Sequence, residues 1–354
     1  MKRVYLDWNA SAPLRPEARE ATIAAMDSLG NPSSVHHEGR LARAIVETAR
    51  TQVAAACGAD PHGIVFTSGA VEAAALAMSD RAPGFAAADI EHDCILAWSG
   101  CMLPTGRDGT VKVPDPANST LQAANGETGV LQTLPTGLAL SDSVQAFGKI
   151  AFDFRRTGAG MAILSAHKIG GPKGVGALVV GDGINVRAQI RGGGQELGRR
   201  SGTENVAGIA GFGAAAEVAA RDLEAGVWET VSENRDRLEA RIRELVPEAV
   251  FIGQDTARLP NTSCFAYPGW PNDRQVMALD LKGFSISAGS ACSSGKVAST
   301  GSKALRAMGL ENATVLSAIR VSIGPTTTEM DVMRFAEAWA DGCRRFRNQP
   351  RAAA

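Results

Sequence analysis

Lys168 is the residue whose type and position most directly indicate chemistry. It follows an apolar run and precedes a glycine-rich turn in the segment 165–174, which reads SAHKIGGPKG. A lysine at the end of a buried strand is desolvated, which lowers the pKa of its amine and makes it nucleophilic toward carbonyl groups. Taken alone, however, a lysine on a turn is more often an ordinary exposed side chain.

Asp142 ends a second apolar run, which reads ALSD over 139–142. Its carboxylate could pair with the protonated ring nitrogen that a pyridoxal cofactor requires. By itself, an aspartate at this position serves equally well as a helix cap. His92 and His167 also lie beside apolar runs, where a lone histidine is more often structural than catalytic.

Cys292 is the cysteine with the most informative surroundings. It lies in a stretch of small residues over 287–296, whereas Cys57 and Cys343 fall within helical patterns. A cysteine on an accessible loop near a lysine, here Lys296, can reach the thiolate state and act as a nucleophile. The alternative is an inert exposed thiol, which is a liability because it oxidises readily.

The composition excludes several classes of protein. The 354 residues are 45% hydrophobic with a net charge of −1, which fits a globular protein of two domains and gives no reason to expect a nucleic-acid partner. No window approaches the roughly 18 apolar residues of a membrane span, and no apolar stretch follows Lys2 and Arg3. We therefore expect no membrane partner and no signal peptide. The 6 cysteines form no C-x-x-C pair, which argues against a metal site or a disulfide framework and favours a reducing cytoplasm.

The elements that must position these side chains follow from the spacing of apolar residues, prolines and glycines. The predicted elements are helices over 16–30, 38–57, 204–248 (broken at Gly226) and 328–345, and strands over 64–67, 150–154, 161–165 and 176–180. The strand over 64–67 leads through Ser68 and Gly69 into an alanine-rich helix, whose N terminus could hold an anion. We place a domain boundary at Gly226.

Taken together, these segments resemble the cysteine desulfurase family, which is part of the class V aminotransferase group of fold-type-I pyridoxal-phosphate enzymes. The similar segments are Tyr5 to Ala10, Gly30 to Ser34, Thr67 to Ala70, Glu91 with His92, Asp142 with Gln145, Ser165 to Lys168, Arg200 to Thr203, Gly289 to Cys292 and Ile319 to Ser322. Each segment is short, and their common order along nearly the whole chain makes the resemblance specific.

The resemblance implies a role for each site residue. Lys168 would hold pyridoxal 5'-phosphate as a Schiff base and act as a base, and Cys292 would take the sulfur of L-cysteine as a persulfide while alanine leaves. His92 would stack on the ring and Arg320 would bind the substrate carboxylate in bidentate fashion. The other implied contacts are Asp142, Gln145, Ser165, His167, Gly69, Ala70, Val71 and Thr203 to the cofactor, and Asn31 to the substrate.

The resemblance also implies the architecture and the partners. We expect an α/β fold with a large cofactor-binding domain over 14–225, built on a mostly parallel sheet of seven strands. A smaller α+β domain would comprise 1–13 and 226–354 and carry the Cys292 loop. A homodimer is expected, since in the family the segment that resembles 200–203 reaches across the dimer interface to the partner's phosphate. The sulfur would pass to an acceptor or scaffold protein for iron–sulfur cluster assembly or thiolation.

Three departures from the family pattern bear on activity. Val71 replaces a threonine that binds the phosphate, Gly126 replaces an asparagine that faces the cofactor, and the stretches 79–125 and 129–142 are short. One missing hydrogen bond costs only about 1 kcal/mol. A competent, trimmed desulfurase is therefore the favoured interpretation. The alternatives are a slow paralogue that needs an activating partner, a cystine or selenocysteine lyase, an aminotransferase, or a scaffold without the cofactor.

Overall fold

The computed structural model describes residues 3–80, 85–289 and 301–348. The strands are β1 (Val4–Tyr5), β2 (Ile64–Thr67), β3 (Ala86–Ala88), β4 (Cys101–Leu103), β5 (Ser119–Thr120), β6 (Ser141–Asp142), β7 (Met161–Ser165), β8 (Gly176–Val180), β9 (Val250–Ile252), β10 (Thr262–Ala266), β11 (Phe284–Ser285) and β12 (Ala318–Ser322). The helices are α1 (Pro16–Met26), α2 (His37–Cys57), α3 (Ala70–Met78), α4 (Asp93–Leu96), α5 (Phe154–Thr157), α6 (Val206–Glu224), α7 (Val227–Leu245), α8 (Asn272–Leu281), α9 (Lys303–Ala307), α10 (Asn312–Val315) and α11 (Glu329–Arg347).

Most of the predicted elements are confirmed, and one is wrong. The strands over 64–67, 161–165 and 176–180 are β2, β7 and β8. The strand predicted over 150–154 does not form, because the Asp153 side chain accepts a hydrogen bond from the Arg156 N–H (3.2 Å) and caps α5 instead. Phe154 is buried in the core, and Ile150 and Phe152 are partly buried, without joining the sheet.

The central sheet has the order β2-β8-β7-β6-β5-β3-β4, in which a parallel bridge between Thr120 and Leu140 joins its two halves. Strand β8 runs antiparallel to β2 and β7, and the pairs β7–β6, β5–β3 and β3–β4 are parallel. The expected mostly parallel sheet of seven strands is therefore confirmed. Because β2, β7, β6, β5 and β3 point the same way, their carboxyl ends meet at one edge, where α/β proteins bind ligands.

The sheet is buried on both faces, because successive side chains along a strand point alternately into two different cores. On β7, Ala162 and Leu164 face the core that also contains α2 and α6, whereas Ile163 faces the core that contains α3. On β2, Phe66 and Val65 are divided in the same way. Two apolar faces require helices on both sides, which fixes a layered α/β arrangement.

The C-terminal third forms a second core around an antiparallel sheet of order β12-β10-β9. Helices α7 and α11 pack on this sheet, and Trp339 contacts Phe265 edge to face with ring centroids 5.0 Å apart. The start of the chain joins this part, because β1 pairs with β11 and Asp7 bridges Ser322. No helix among the described residues is long and apolar enough to cross a membrane.

A buried ion pair ties the segment 195–203 to the central sheet. Arg50 on α2 donates to both carboxylate oxygens of Glu196 (2.9 Å each), and Glu196 also accepts the Phe66 N–H of β2 (2.9 Å). Arg50 also donates to the Ile64 carbonyl (2.7 Å). Glu196 and Leu197 both adopt left-handed backbone conformations, with φ of 50° and 57°. The pair therefore holds an unusual turn against the strand that leads into the Ser68–Gly69 turn.

We predict that Arg50→Leu lowers the free energy of unfolding by about 3 kcal/mol, because it leaves the buried Glu196 carboxylate without its counter-ion. Chemical denaturation of the two proteins measures the difference. The matched control is Arg43→Leu, at an exposed position on the same helix, where a change within about 0.5 kcal/mol is expected. A loss below about 1 kcal/mol for Arg50→Leu would contradict the prediction.

Candidate active site

A cavity of about 560 Å³ opens at the carboxyl edge of the central sheet. The residues predicted from sequence that line it are Gly69, Ala70, Val71, His92, Asp142, Gln145, Ser165, His167, Lys168 and Arg320. Two others, Asn31 and Thr203, are exposed and do not line it in the single subunit. The predicted nucleophile Cys292 lies outside the described residues. Residues far apart in the sequence thus meet because parallel strands end at the same edge.

Lys168 enters the cavity from a short turn that directly follows β7. Its Nζ donates to the carbonyl oxygens of Asn9 (2.6 Å) and Ala10 (3.0 Å). The Asn9 carbonyl also accepts a hydrogen bond from Gln145 Nε2 (3.0 Å). In these contacts the amine is held by main-chain groups of the N-terminal segment.

Asp142 ends β6 and is buried at the base of the cavity. Its Oδ1 accepts the Val144 N–H (3.0 Å). Burial raises the pKa of this carboxyl group, while the Val144 hydrogen bond and the charges of His92 and Lys168 act in the opposite direction. A cationic ring nitrogen placed here would stabilise the ionised form of the carboxylate further.

The two histidines that line the cavity make different contacts. His92 precedes α4, and its Nδ1 accepts the Cys94 N–H (3.2 Å). His167 Nδ1 lies 3.3 Å from Ser11 Oγ. Burial, together with the charges of Lys168 and other nearby lysines, lowers the pKa of His167 to about 4, so its imidazole is neutral at pH 7.

The Ser68–Gly69 turn places the N terminus of α3 at the cavity. The first-turn N–H groups of a helix have no intrahelical partner, and the helix dipole favours an anion there. Glu72 at this end is already neutralised, since it accepts the Ser68 N–H (2.8 Å) and pairs with Arg200 (2.8 Å). No heavy atom lies within 4 Å of where a side chain at Gly69 would begin, so open space adjoins the turn.

Arg320 lies on β12 and brings a buried guanidinium to the opposite side of the cavity. One terminal nitrogen donates to the Gly126 carbonyl (3.0 Å) and the other to the Asp7 carboxylate (2.6 Å). Its Nε is buried without a hydrogen-bond partner among the described residues. The guanidinium is thus fixed in place by groups from the N-terminal segment and from the 125–129 turn.

Gly126 occupies a position where a side chain would contact Gln145 tightly. A Cβ atom added there would lie 3.1 Å from Gln145 Nε2 and 3.3 Å from its Cγ. The Gly126 carbonyl accepts hydrogen bonds from Asn9 (3.1 Å) and Arg320 (3.0 Å). The main chain of Gly126 therefore contributes to the site although its side chain is missing.

The roles of three buried residues of the site were not predicted from the sequence. Lys149 contacts Gln145 and Asn9, and no pattern in the sequence distinguished it from an exposed lysine. Glu91 lies next to His92, and burial and the neighbouring Asp142 raise its pKa well above the ordinary value. Asn9 lies within the quoted segment Tyr5 to Ala10, yet its role as a hydrogen-bonding centre depends on residues distant in the sequence.

Comparisons with known proteins agree with this geometry. The family model of aminotransferase class-V matches residues 4–100 and 121–335. A cysteine desulfurase of Cereibacter sphaeroides is 38% identical over 373 residues, which cover 95% of each chain. The crystal structure of a NifS-like protein from Rickettsia africae has a TM-score of 0.86 at 30% identity, covering 96% of this chain and 99% of that one.

A further solved structure, described as SspA in complex with cysteine, has a TM-score of 0.73 at 29% identity, covering 91% of this chain and 99% of that one. The family model and the relatives extend over nearly the whole sequence, including the strands that supply the cavity. The chain therefore belongs to the cysteine desulfurase family, within the class V aminotransferases.

Proposed function

We propose that this chain is a pyridoxal-phosphate-dependent cysteine desulfurase that converts L-cysteine to L-alanine and carries the sulfur as a persulfide on Cys292. The observation that carries the proposal is the meeting of Lys168, Asp142 and Arg320 in one buried cavity. An amine, a ring-nitrogen partner and a carboxylate-binding guanidinium are the three groups that the reaction of an amino acid on this cofactor needs. The names of the relatives support the same substrate.

The residues of the cavity fit pyridoxal phosphate. The N terminus of α3 would hold the phosphate through main-chain N–H groups, beside the open space at Gly69. Asp142 would face the ring nitrogen, His92 would lie against the ring, and Gln145 would face the ring oxygen. When bound, the cofactor supplies an electron sink for the pair of electrons left at the substrate Cα.

The protein's own groups would carry the remaining steps. The Lys168 amine, once released from the cofactor, would take the Cα proton as a general base. Asp142 would keep the proton on the ring nitrogen, since an ionised buried carboxylate stabilises an adjacent cation. Arg320 would bind the substrate carboxylate and so orient the sulfur. The Cys292 thiolate would attack that sulfur and form the S–S bond of the persulfide as the bond between the sulfur and the substrate Cβ breaks. The electron pair of the broken bond would stay with the substrate, which would gain a proton at Cβ and leave as alanine.

Support for a homodimer comes from apolar side chains on the surface of the single subunit. Ile23, Met26 and Leu41 on α1 and α2 are exposed, as is Leu197 in the segment 195–203. Thr203 is exposed as well and does not line the cavity of its own subunit. We propose that a second copy of the chain covers this surface and that Thr203 reaches the phosphate site of that copy.

We further propose that the enzyme works in the cytoplasm and passes its sulfur to an acceptor protein.

We predict that Cys292→Ala retains the visible absorbance of the bound cofactor but releases no sulfide from L-cysteine, because the substitution removes only the thiol that takes the sulfur. Absorbance spectra before and after addition of cysteine, with sulfide and alanine assayed in the same sample, test both parts. Cys101→Ala, which removes an exposed cysteine, is the matched control and should keep both the cofactor absorbance and the sulfide release. Undiminished sulfide release by Cys292→Ala would refute the persulfide assignment. A wild-type protein without visible absorbance after incubation with pyridoxal phosphate would favour a scaffold.

We predict that Arg320→Lys raises KM for L-cysteine about tenfold or more, because a lysine can pair with Asp7 but cannot present a two-nitrogen fork to the substrate. Steady-state kinetics with KM and kcat resolved separately give the measurement, and the cofactor spectrum should stay unchanged. Arg274→Lys, at an exposed position on α8, should leave KM unaltered. An unaltered KM for Arg320→Lys would mean that another group binds the substrate carboxylate.

A further inference from the structure

Lys149 is buried in the interior next to the cavity, with a relative exposure of 2%. Its Nζ donates to Asn9 Oδ1 (2.8 Å) and to Gln145 Oε1 (2.7 Å). Both acceptors are neutral amide oxygens. Within the described residues the charges that act on Lys149 are those of Lys168 and Arg320, both of which are cationic.

Burial of a lysine without a counter-ion is costly for the fold. An ammonium group that is taken out of water without a counter-ion carries a large desolvation penalty. Burial and the two neighbouring cations accordingly lower the pKa of Lys149 well below its ordinary value. A neutral amine still has two N–H donors, and Lys149 faces two amide oxygens. A methionine would fill the same space without the desolvation penalty. The amine of Lys149 is therefore expected to have a role in the site.

The contacts of Asn9 and Lys149 together decide how the amide of Gln145 is turned. Gln145 Nε2 lies 3.0 Å from the Asn9 carbonyl, which can only accept, so the NH₂ group must point there. Gln145 Oε1 then faces Lys149, which supplies its donor at 2.7 Å. The NH₂ group has a second hydrogen, which its bond to Asn9 leaves available. Gln145 lines the cavity.

We propose that Lys149 is a positioning residue, which holds the Gln145 amide so that an N–H group, and not the carbonyl oxygen, faces the ring oxygen of the cofactor. The inference rests on the proposed function, because it concerns the ring of bound pyridoxal phosphate. Without the donor at Oε1, the buried oxygen of Gln145 would lack a partner, and the amide would turn toward other donors. Lys149 thus acts through Gln145 and does not touch the reacting atoms.

The experiment is a double-mutant cycle of Lys149→Met and Gln145→Ala, read by the pH titration of the visible absorbance of the bound cofactor. A donor at the ring oxygen stabilises its deprotonated form, so Lys149→Met should raise the pH at which the band titrates by about one unit. In the Gln145→Ala background the same substitution should shift it by less than about 0.3 unit, because the group that Lys149 positions is gone. Lys112→Met, at an exposed position, is the matched control and should leave the titration unchanged.

Thermal unfolding of the cofactor-free proteins completes the test. Lys149→Met should have a Tm close to that of the wild type, since the desolvation penalty that it removes offsets the loss of the hydrogen bonds to Asn9 and Gln145. A lower Tm together with loss of cofactor binding would assign Lys149 a structural role and overturn the proposal. An unchanged titration, or an equal shift with and without Gln145, would overturn the positioning role of Lys149. The desulfurase function would still stand in that case if the wild type releases sulfide. A wild type that neither shows the band nor releases sulfide would overturn both.

Discussion

The hydrogen bonds of one buried residue, Asn9, hold together the parts of the chain that surround the cavity. Its carbonyl accepts from Lys168 and Gln145, which follow strands β7 and β6 of the central sheet, and its side chain accepts from Lys149. Its Nδ2 donates to Thr262 on β10 of the C-terminal sheet (2.8 Å). A buried amide with its donors and acceptors satisfied is strongly specified in position, because any other placement leaves polar groups unpaired. The N-terminal segment therefore acts as a joint between the two cores, and the cavity lies at that joint.

The charges around the cavity are distributed so that acid and base functions are separated. Three basic side chains lie around Asn9 and Gly126, namely Lys149, Lys168 and Arg320, whereas Glu91 and Asp142 interact with each other. Two carboxyl groups that face each other in a dry environment cannot both ionise readily. Burial and the neighbouring Asp142 raise the pKa of Glu91, whose Oε2 has no hydrogen-bond partner in the described part of the chain, while Asp142 is supported by the Val144 N–H and the charge of Lys168. Asp142 is thus the member of the pair suited to carry the negative charge.

The sequence allowed the strands and the residues at their ends to be predicted, because both depend on local pattern. β7 and the turn that carries Lys168 were recognisable from an apolar run followed by glycines. The failure over 150–154 arose because hydrophobic residues in a short run do not reveal that Asp153 will cap a helix. Lys149 could not be predicted, since its environment is made by Asn9, 140 positions away in the sequence. The polar network of a buried site is set by tertiary contacts, which periodicity does not encode.

The two side-chain departures from the family pattern are compatible with a working site when main-chain groups are considered. Val71 cannot donate to a phosphate, and 64% of its side chain is exposed, but its N–H belongs to the first turn of α3, where anions bind through the main chain. Gly126 lacks an amide side chain, yet its carbonyl fixes both Asn9 and Arg320. Gln145 already lies close to the space that a side chain at this position would take. What both positions retain is the geometry of the main chain, and this geometry orients the groups that carry the chemistry.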